Sequence, residues 1–182
     1  MLNTPNMLSI FRLCLVPAFV VVYFSGLPYS RWWAVGIYAL ATFTDYLDGH
    51  LARKYNLITN LGKVLDPLGD KMLTFAVLAC IAIDGIIPSW IVIIIFAKEA
   101  LMGLGGLLIH RRAKVEIPPS NYIGKTATGL FFVVCVVLML FPVSETASTV
   151  LICIAVVVSL AAFVSYVIRY ISIMKMRKES KE

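Results

Sequence analysis

Four aspartates between positions 45 and 70 are spaced so that each pair can share one face of a helix. Asp45 and Asp48 are three residues apart, and Asp66 and Asp70 are four apart, which are the spacings of neighbours on a helix surface. A chain reversal over Gly49–Gly62 would bring the two faces together. Converging carboxylates repel one another unless a cation lies among them, and oxygen ligands suit hard divalent ions. The spacing therefore predicts a site for Mg²⁺ or Mn²⁺.

Nearby cations offer a second interpretation of the same aspartates. Arg53, Lys63 and Lys71 could neutralise them as structural ion pairs, which accounts for the charge but not for the regular spacing. Beside a metal, Arg53 and an open Gly49 suit a phosphorylated nucleotide, because a guanidinium binds phosphate through several fixed donors. We therefore favour the metal site.

The composition indicates an integral membrane protein. Hydrophobic residues make up 60% of the 182 residues, and the mean hydropathy is +0.91, far above the values of soluble domains. The length favours one domain. The net charge is +6, but the basic residues cluster at the ends of apolar runs, so no nucleic acid partner is predicted. The 4 cysteines lie inside apolar stretches and lack metal-ligand or disulfide spacing.

Six apolar stretches predict an all-α membrane protein with six transmembrane helices. Most are near the roughly 20 residues that a spanning helix needs, and Gly, Pro and polar segments separate them. The stretches lie at about residues 7–25, 32–49, 67–86, 88–109, 124–142 and 147–171.

The distribution of Lys and Arg predicts the orientation in the membrane. Basic residues cluster after the second and fourth stretches and at the C-terminus, whereas the opposite loops carry only Arg31. By the positive-inside rule, both termini and the aspartate site face the cytoplasm. We predict a membrane domain over residues 1–174 and a basic cytoplasmic tail over 175–182. The basic residues on the cytoplasmic side are Arg53, Lys54, Lys63, Lys71, Arg111, Arg112, Lys114, Lys125, Arg169, Lys175, Arg177, Lys178 and Lys181.

The aspartates belong to a longer pattern that resembles the signature of the CDP-alcohol phosphatidyltransferases. The pattern is Asp-x2-Asp-Gly-x2-Ala-Arg-x8-Gly-x3-Asp-x3-Asp, and the opening stretch Asn3–Arg12 is similar to that of the phosphatidylglycerophosphate and cardiolipin synthase branches. The resemblance implies a six-helix bundle with a polar cavity open to the cytoplasm, and a homodimer. The pattern falls on Asp45, Asp48, Gly49, Ala52, Arg53, Gly62, Asp66 and Asp70.

The same resemblance implies a role for each residue of the pattern. In this family an alcohol displaces CMP from a CDP-linked lipid with the help of Mg²⁺ or Mn²⁺. Asp70 would also act as general base for the attacking hydroxyl. The metal ligands implied are Asp45, Asp48, Asp66 and Asp70. The residues implied to bind the CDP-lipid are Asp48, Gly49, Ala52, Arg53 and Gly62.

The acceptor is expected to meet cations of the fourth and fifth stretches. The candidates for its phosphate are Lys98, Arg111, Arg112 and Lys125. Lys98 stands where the phosphatidylglycerophosphate synthase branch has Arg, and a second Lys after Lys125 is missing. Arg111 and Arg112 are equally well interpreted as membrane anchors. Arg12, inside the first stretch, is predicted either to face the ligand or to form a structural ion pair, because a charge there is costly when unpaired.

The favoured reaction joins CDP-diacylglycerol and sn-glycerol 3-phosphate to give phosphatidylglycerophosphate and CMP. The alternative within the family is a cardiolipin synthase that uses phosphatidylglycerol as acceptor. The alternative from another class is a non-enzymatic cation carrier, because carboxylates inside a membrane also mark ion paths. The predicted partners are these substrates, the lipid bilayer and a second copy of the chain.

Overall fold

Six α-helices follow one another along the part of the chain that the structure describes. This computed structural model describes residues 4–54, 62–113 and 122–179. Within these ranges the side chains of residues 4–6, 48–54, 62–67, 102–113, 122, 123, 125, 166, 169–171 and 173–179 are not described. The helices are α1 (Thr4–Tyr23), α2 (Ser30–Lys54), α3 (Gly62–Ile83), α4 (Ser89–Ala113), α5 (Tyr122–Leu140) and α6 (Glu145–Glu179).

Each predicted apolar stretch corresponds to one helix, which confirms the all-α class. Of the segment Gly49–Gly62, which is predicted to reverse the chain, the first part is helical, because α2 continues through Gly49 to Lys54. A single glycine costs a helix only about 1 kcal/mol, too little to end one that packs against neighbours. The rest of the predicted reversal segment, residues 55–61, lies outside the described residues. At the other end of the chain, α6 runs to Glu179, so the first residues of the predicted tail are helical.

The chain divides into two units. One comprises Met1–Ser89 with Leu138–Pro142, and the other comprises Trp90–Val137 with Val143–Glu182. In the first unit α1 packs against α2 and α3, and α2 contacts α3. The aspartate pattern lies wholly in this unit.

A single buried face of α1 forms the centre of the first unit. Its residues recur every three or four positions, as expected for one side of a helix. The face is polar towards its N-terminal end, aromatic in the middle and carries a phenol at its C-terminal end. It consists of Ser9, Arg12, Val16, Phe19 and Tyr23, all less than 9% exposed.

Small residues of α2 allow α1 to approach closely. Ala34 and Ala41 are fully buried, and the Phe19 and Tyr38 rings pack with their centroids 6.3 Å apart. Further along α2 the buried Thr44 hydroxyl donates to the Ala41 carbonyl at 2.8 Å. Thr44 directly precedes Asp45, so the pattern begins next to a buried position of α2 whose hydroxyl is satisfied within the helix.

A polar cluster ties the opposite end of the first unit together. The Asp84 carboxylate accepts hydrogen bonds from Tyr23 at 3.1 Å and from Arg31 at 2.6 Å. These residues lie at the end of α1, in the first turn of α2 and just after α3. Gly85, at φ 75°, ends α3: its N–H bonds to Ala82 and that of Ile86 to Ile81, which is the Schellman arrangement.

Helices α4, α5 and α6 of the second unit each carry buried apolar residues. Among them are Ile91 on α4, Cys135 on α5 and Ile152 on α6. Ala155, one turn beyond Ile152, is also fully buried. Within the described part of this unit, a hydrogen bond between Lys98 and Ser159 joins α4 to α6.

One described helix contains a segment long and apolar enough to cross a membrane. It is Glu145–Ser165, with 21 residues, and Met7–Tyr23 and Thr126–Leu140 are shorter apolar segments. Large apolar side chains are exposed on the helices, among them Trp32, Trp33 and Trp90, each more than half exposed. These tryptophans lie in the first turns of α2 and α4, as aromatic residues do at membrane–water interfaces.

Candidate functional site

The two aspartate pairs lie on two helices of the first unit, as the spacing predicts. Asp45 and Asp48 belong to α2, and Asp66 and Asp70 belong to α3. Along a helix these pairs are separated by about 4.5 and 6 Å. Because α1 packs against both helices, the two pairs are carried by neighbouring elements of one unit.

Arg12 forms an ion pair with the first aspartate of the pattern. Its Nη1 lies 2.6 Å from Asp45 Oδ1. The Arg12 side chain is completely buried, whereas the Asp45 side chain is 40% exposed. Of the two interpretations of Arg12, the structure realises the ion pair, and its partner is a predicted metal ligand.

Gly69 of α3 forms the other side of the Arg12 environment. A Cβ at Gly69 would lie 3.5 Å from Arg12 Cδ and 3.8 Å from Arg12 Nη1. The guanidinium arm therefore runs directly along the backbone next to Asp70. Arg12 thus contacts both helices that carry the aspartates.

The described residues fit an oxygen-ligated divalent cation. Asp45 and Asp70 supply carboxylates, and both retain exposed surface. Carboxylates are ligands of Mg²⁺ and Mn²⁺, and an Arg contact on one oxygen leaves a carboxylate further acceptor capacity. Among the described side chains no group of three or more His, Cys, Asp or Glu residues forms a metal-sized cluster. The side chains of Asp48 and Asp66 are outside that set.

The residues expected to bind the CDP-lipid are placed by their backbone. Asp48, Gly49, Ala52 and Arg53 lie on the last two turns of α2, and Gly62 is the first residue of α3. Their side-chain contacts lie outside the described residues, so their roles stay predictions. They flank residues 55–61 from both sides.

Among the acceptor candidates, Lys98 is the one whose side chain is described. Its Nζ donates to Ser159 Oγ at 2.7 Å and lies 2.6 Å from Glu99 Oε1. Arg111 and Arg112 are on α4 and Lys125 is on α5, with side chains outside the described set. In this structure the largely buried Lys98 joins α4 to α6.

Two residues that contact Lys98 and Arg12 were not predicted from the sequence. Ser159 is one of several hydroxyl residues in the last apolar stretch, and Gly69 is one glycine among 11. A polar residue in the middle of an apolar span is a weak signal of an interhelical hydrogen bond, and it could have pointed to Ser159. Nothing local distinguishes Gly69.

Comparisons with known proteins cover most of the chain. The sequence model described as CDP-alcohol phosphatidyltransferase matches residues 2–171. A cardiolipin synthase (CMP-forming) of Streptomyces coelicolor is 39% identical over 70% of this chain and 60% of its own length. A CDP-diacylglycerol–glycerol-3-phosphate 3-phosphatidyltransferase of Bacillus subtilis is 32% identical over 70% of this chain and 72% of its own. One from Rickettsia bellii is 36% identical over 70% of each chain.

Proposed function

Because the chain belongs to the CDP-alcohol phosphatidyltransferase family, we propose that it transfers the phosphatidyl group from CDP-diacylglycerol to sn-glycerol 3-phosphate. The products are phosphatidylglycerophosphate and CMP. The observation that carries this proposal is the eight-residue aspartate pattern on α2 and α3, whose first member is held by a buried arginine. The Bacillus and Rickettsia relatives carry the name of this activity.

The proposed reaction is a displacement at phosphorus. The acceptor hydroxyl oxygen forms a bond to the phosphatidyl phosphorus, and the bond from that phosphorus to the CMP oxygen breaks. CMP leaves with the electron pair of the broken bond. Asp70 accepts the hydroxyl proton as general base, and it is suited to this by its exposure on α3.

A divalent cation, Mg²⁺ or Mn²⁺, is proposed to be held by Asp45, Asp48, Asp66 and Asp70. When bound, it supplies charge neutralisation to the diphosphate as CMP departs. Arg53 binds phosphate oxygens as a fork of donors. Gly49, Ala52 and Gly62 leave room for the cytidine and diphosphate close to the backbone. Asp48 is proposed to bind both the metal ion and the CDP-lipid.

The acceptor phosphate is proposed to bind cations carried by α4 and α5. A phosphate monoester carries close to two negative charges at neutral pH and binds best to several donors. Lys98 offers three donors, and its partners Ser159 and Glu99 hold it in place. The other proposed members of the pocket are Arg111, Arg112 and Lys125.

The setting of the reaction is also part of the proposal. Six spanning helices place a polar cavity, both termini and the aspartates on the cytoplasmic side of the cell membrane, and two copies of the chain form a dimer. Exposed apolar side chains on the helices support burial in lipid. The excess of Lys and Arg in the loops on one side supports the orientation.

A cardiolipin synthase that uses phosphatidylglycerol is the second candidate. It is favoured by the 39% identity to the Streptomyces relative and by the departures at Lys98 and after Lys125. The two candidates differ in the acceptor, which is a soluble phosphate monoester in one case and a lipid in the other. The family match favours either of them over a cation carrier.

A parallel acceptor assay separates the candidates. Purified protein in detergent receives CDP-diacylglycerol and Mg²⁺ or Mn²⁺ with glycerol 3-phosphate, phosphatidylglycerol, inositol phosphate or serine, and CMP release is followed. We expect CMP release with glycerol 3-phosphate and not with the other three acceptors. Release with phosphatidylglycerol but not glycerol 3-phosphate would replace the proposal by cardiolipin synthesis, and release with neither lipid nor monoester would contradict both.

A further inference from the structure

The N-terminal, polar end of the buried α1 face carries a buried charge, that of Arg12. Arg12 is 0% exposed, and a buried guanidinium is tolerated only when paired and hydrogen-bonded. Its Nη1 forms an ion pair with Asp45 Oδ1, at 2.6 Å. The pair is asymmetric, because the arginine is fully enclosed while the aspartate is 40% exposed. If the ion pair served only to hold α1 against α2, the Asp45 carboxylate would not need to be exposed to solvent.

Packing on both sides restricts how Arg12 can move. A Cβ added at Gly69 would lie 3.5 Å from Arg12 Cδ, so the arginine packs against the α3 backbone, and Val16 and Phe19 continue the same buried face towards the middle of α1. Planar guanidinium groups fix the direction of a carboxylate better than an ammonium does. The geometry thus gives Asp45 a fixed partner on its buried side.

We infer that Arg12 is a positioning residue that orients Asp45 for binding a divalent cation. The inference rests on the proposed metal site and adds to it a group from α1, outside the aspartate pattern. Arg12 holds Oδ1 and thereby sets the carboxylate rotamer, and the exposed part of Asp45 faces the cation. Ligating carboxylates are commonly oriented by such outer contacts, whose loss costs about 10–100-fold in metal affinity or activity.

Direct Mn²⁺ binding tests this role without relying on turnover. Purified protein in detergent is titrated with Mn²⁺, and the unbound ion is measured by its electron paramagnetic resonance signal. Arg12→Met keeps most of the side-chain length and removes the charge, and we expect it to weaken Mn²⁺ binding about 10–100-fold. Arg12→Lys restores a charge without the planar fork, so it should recover part of that loss.

Arg31→Met provides a matched control. Arg31 forms an ion pair of the same length, 2.6 Å, with Asp84 in the same unit, at the other end of α1. The same substitution there should lower thermal stability and leave Mn²⁺ affinity unchanged. If Arg31→Met weakens Mn²⁺ binding as much as Arg12→Met, the effect is one of general stability and the inference is wrong.

Asp45→Asn separates failure of the inference from failure of the metal site. If Asp45→Asn binds Mn²⁺ like the wild type, the proposed site itself is wrong. If Asp45→Asn weakens binding but Arg12→Met binds as tightly as the wild type or more tightly, the site stands and Arg12 does not position it. In the Asp45→Asn background, Arg12→Met should cause little further loss of affinity, because it acts through Asp45.

A second variant keeps the test decisive if Arg12→Met does not fold. Arg12→Lys is then compared with Arg31→Lys, the same conservative change in the Arg31–Asp84 pair, which should not alter Mn²⁺ affinity. Arg12→Lys should bind Mn²⁺ measurably more weakly than Arg31→Lys. Equal affinities of the two variants would overturn the inference.

Discussion

Lys98 Nζ donates a hydrogen bond of 2.7 Å to Ser159 Oγ, across 61 positions of the sequence. The contact joins α4 to α6 in the second unit, and Glu99 lies 2.6 Å from the same ammonium. A lysine in an apolar span is costly unless it is paired. The contact therefore explains how α4 carries a charge among apolar residues.

Replacing Ser159 should measure the worth of this interhelical bond. Ser159→Ala removes the acceptor for Lys98, and hydrogen bonds between membrane helices contribute about 1 kcal/mol. The melting temperature in detergent should fall accordingly. Ser165→Ala, about 9 Å further along α6, is the matched control and should melt like the wild type. Equal melting of both variants would show that the bond contributes nothing to stability.

Removal of divalent cations should abolish CMP release. The reason is that the diphosphate of CDP-diacylglycerol needs its charge neutralised as CMP leaves. Asp48→Asn and Asp66→Asn should each lose most activity while keeping the wild-type circular dichroism spectrum. Turnover that continues in EDTA, or in these folded variants, would contradict the metal-dependent mechanism.

Asp70 should affect catalysis more than binding. Loss of a general base costs about 10²–10⁴-fold in rate, so Asp70→Asn should lower kcat by that order. Binding of CDP-diacylglycerol, measured by its protection against thermal unfolding, should persist. An Asp70→Asn enzyme with near wild-type kcat would exclude the role of this carboxylate as base.

The cluster around Asp84 should contribute to stability and not to chemistry. Arg31 is 47% exposed and Asp84 30% exposed, so solvent screening limits the pair to about 1 kcal/mol. Asp84→Asn should lower the melting temperature modestly and leave CMP release intact. A large loss of activity in a folded Asp84→Asn variant would mean that this end of the unit also serves the reaction.

The orientation can be tested at the end of α6. Lys175→Cys is introduced in a chain in which Cys14, Cys80, Cys135 and Cys153 are replaced. In intact cells an impermeant thiol reagent should leave this position unlabelled, and permeabilised cells should label it. Labelling of intact cells would place the C-terminus outside and reverse the predicted topology.

The sequence determined the helices and the family, because both depend on local information. Apolar runs between breakers predicted six helices, since burial in lipid or in a core requires continuous apolar surface. The eight-residue pattern predicted the family, which the match over residues 2–171 confirms. The predicted reversal segment Gly49–Gly62 begins inside α2, which continues to Lys54, because a single glycine costs a helix less than its packing contributes.

Only the tertiary structure decided which charges meet. Arg12 could have faced a ligand or a partner, and the packing of α1 on α2 and α3 paired it with Asp45. The position of Lys98 in the sequence predicted a role in binding the acceptor phosphate. Its hydrogen bond to Ser159 depends on how α4 and α6 are placed against each other. Contacts between distant positions depend on how helix faces are rotated against one another, and the periodicity of one helix does not determine that rotation relative to another.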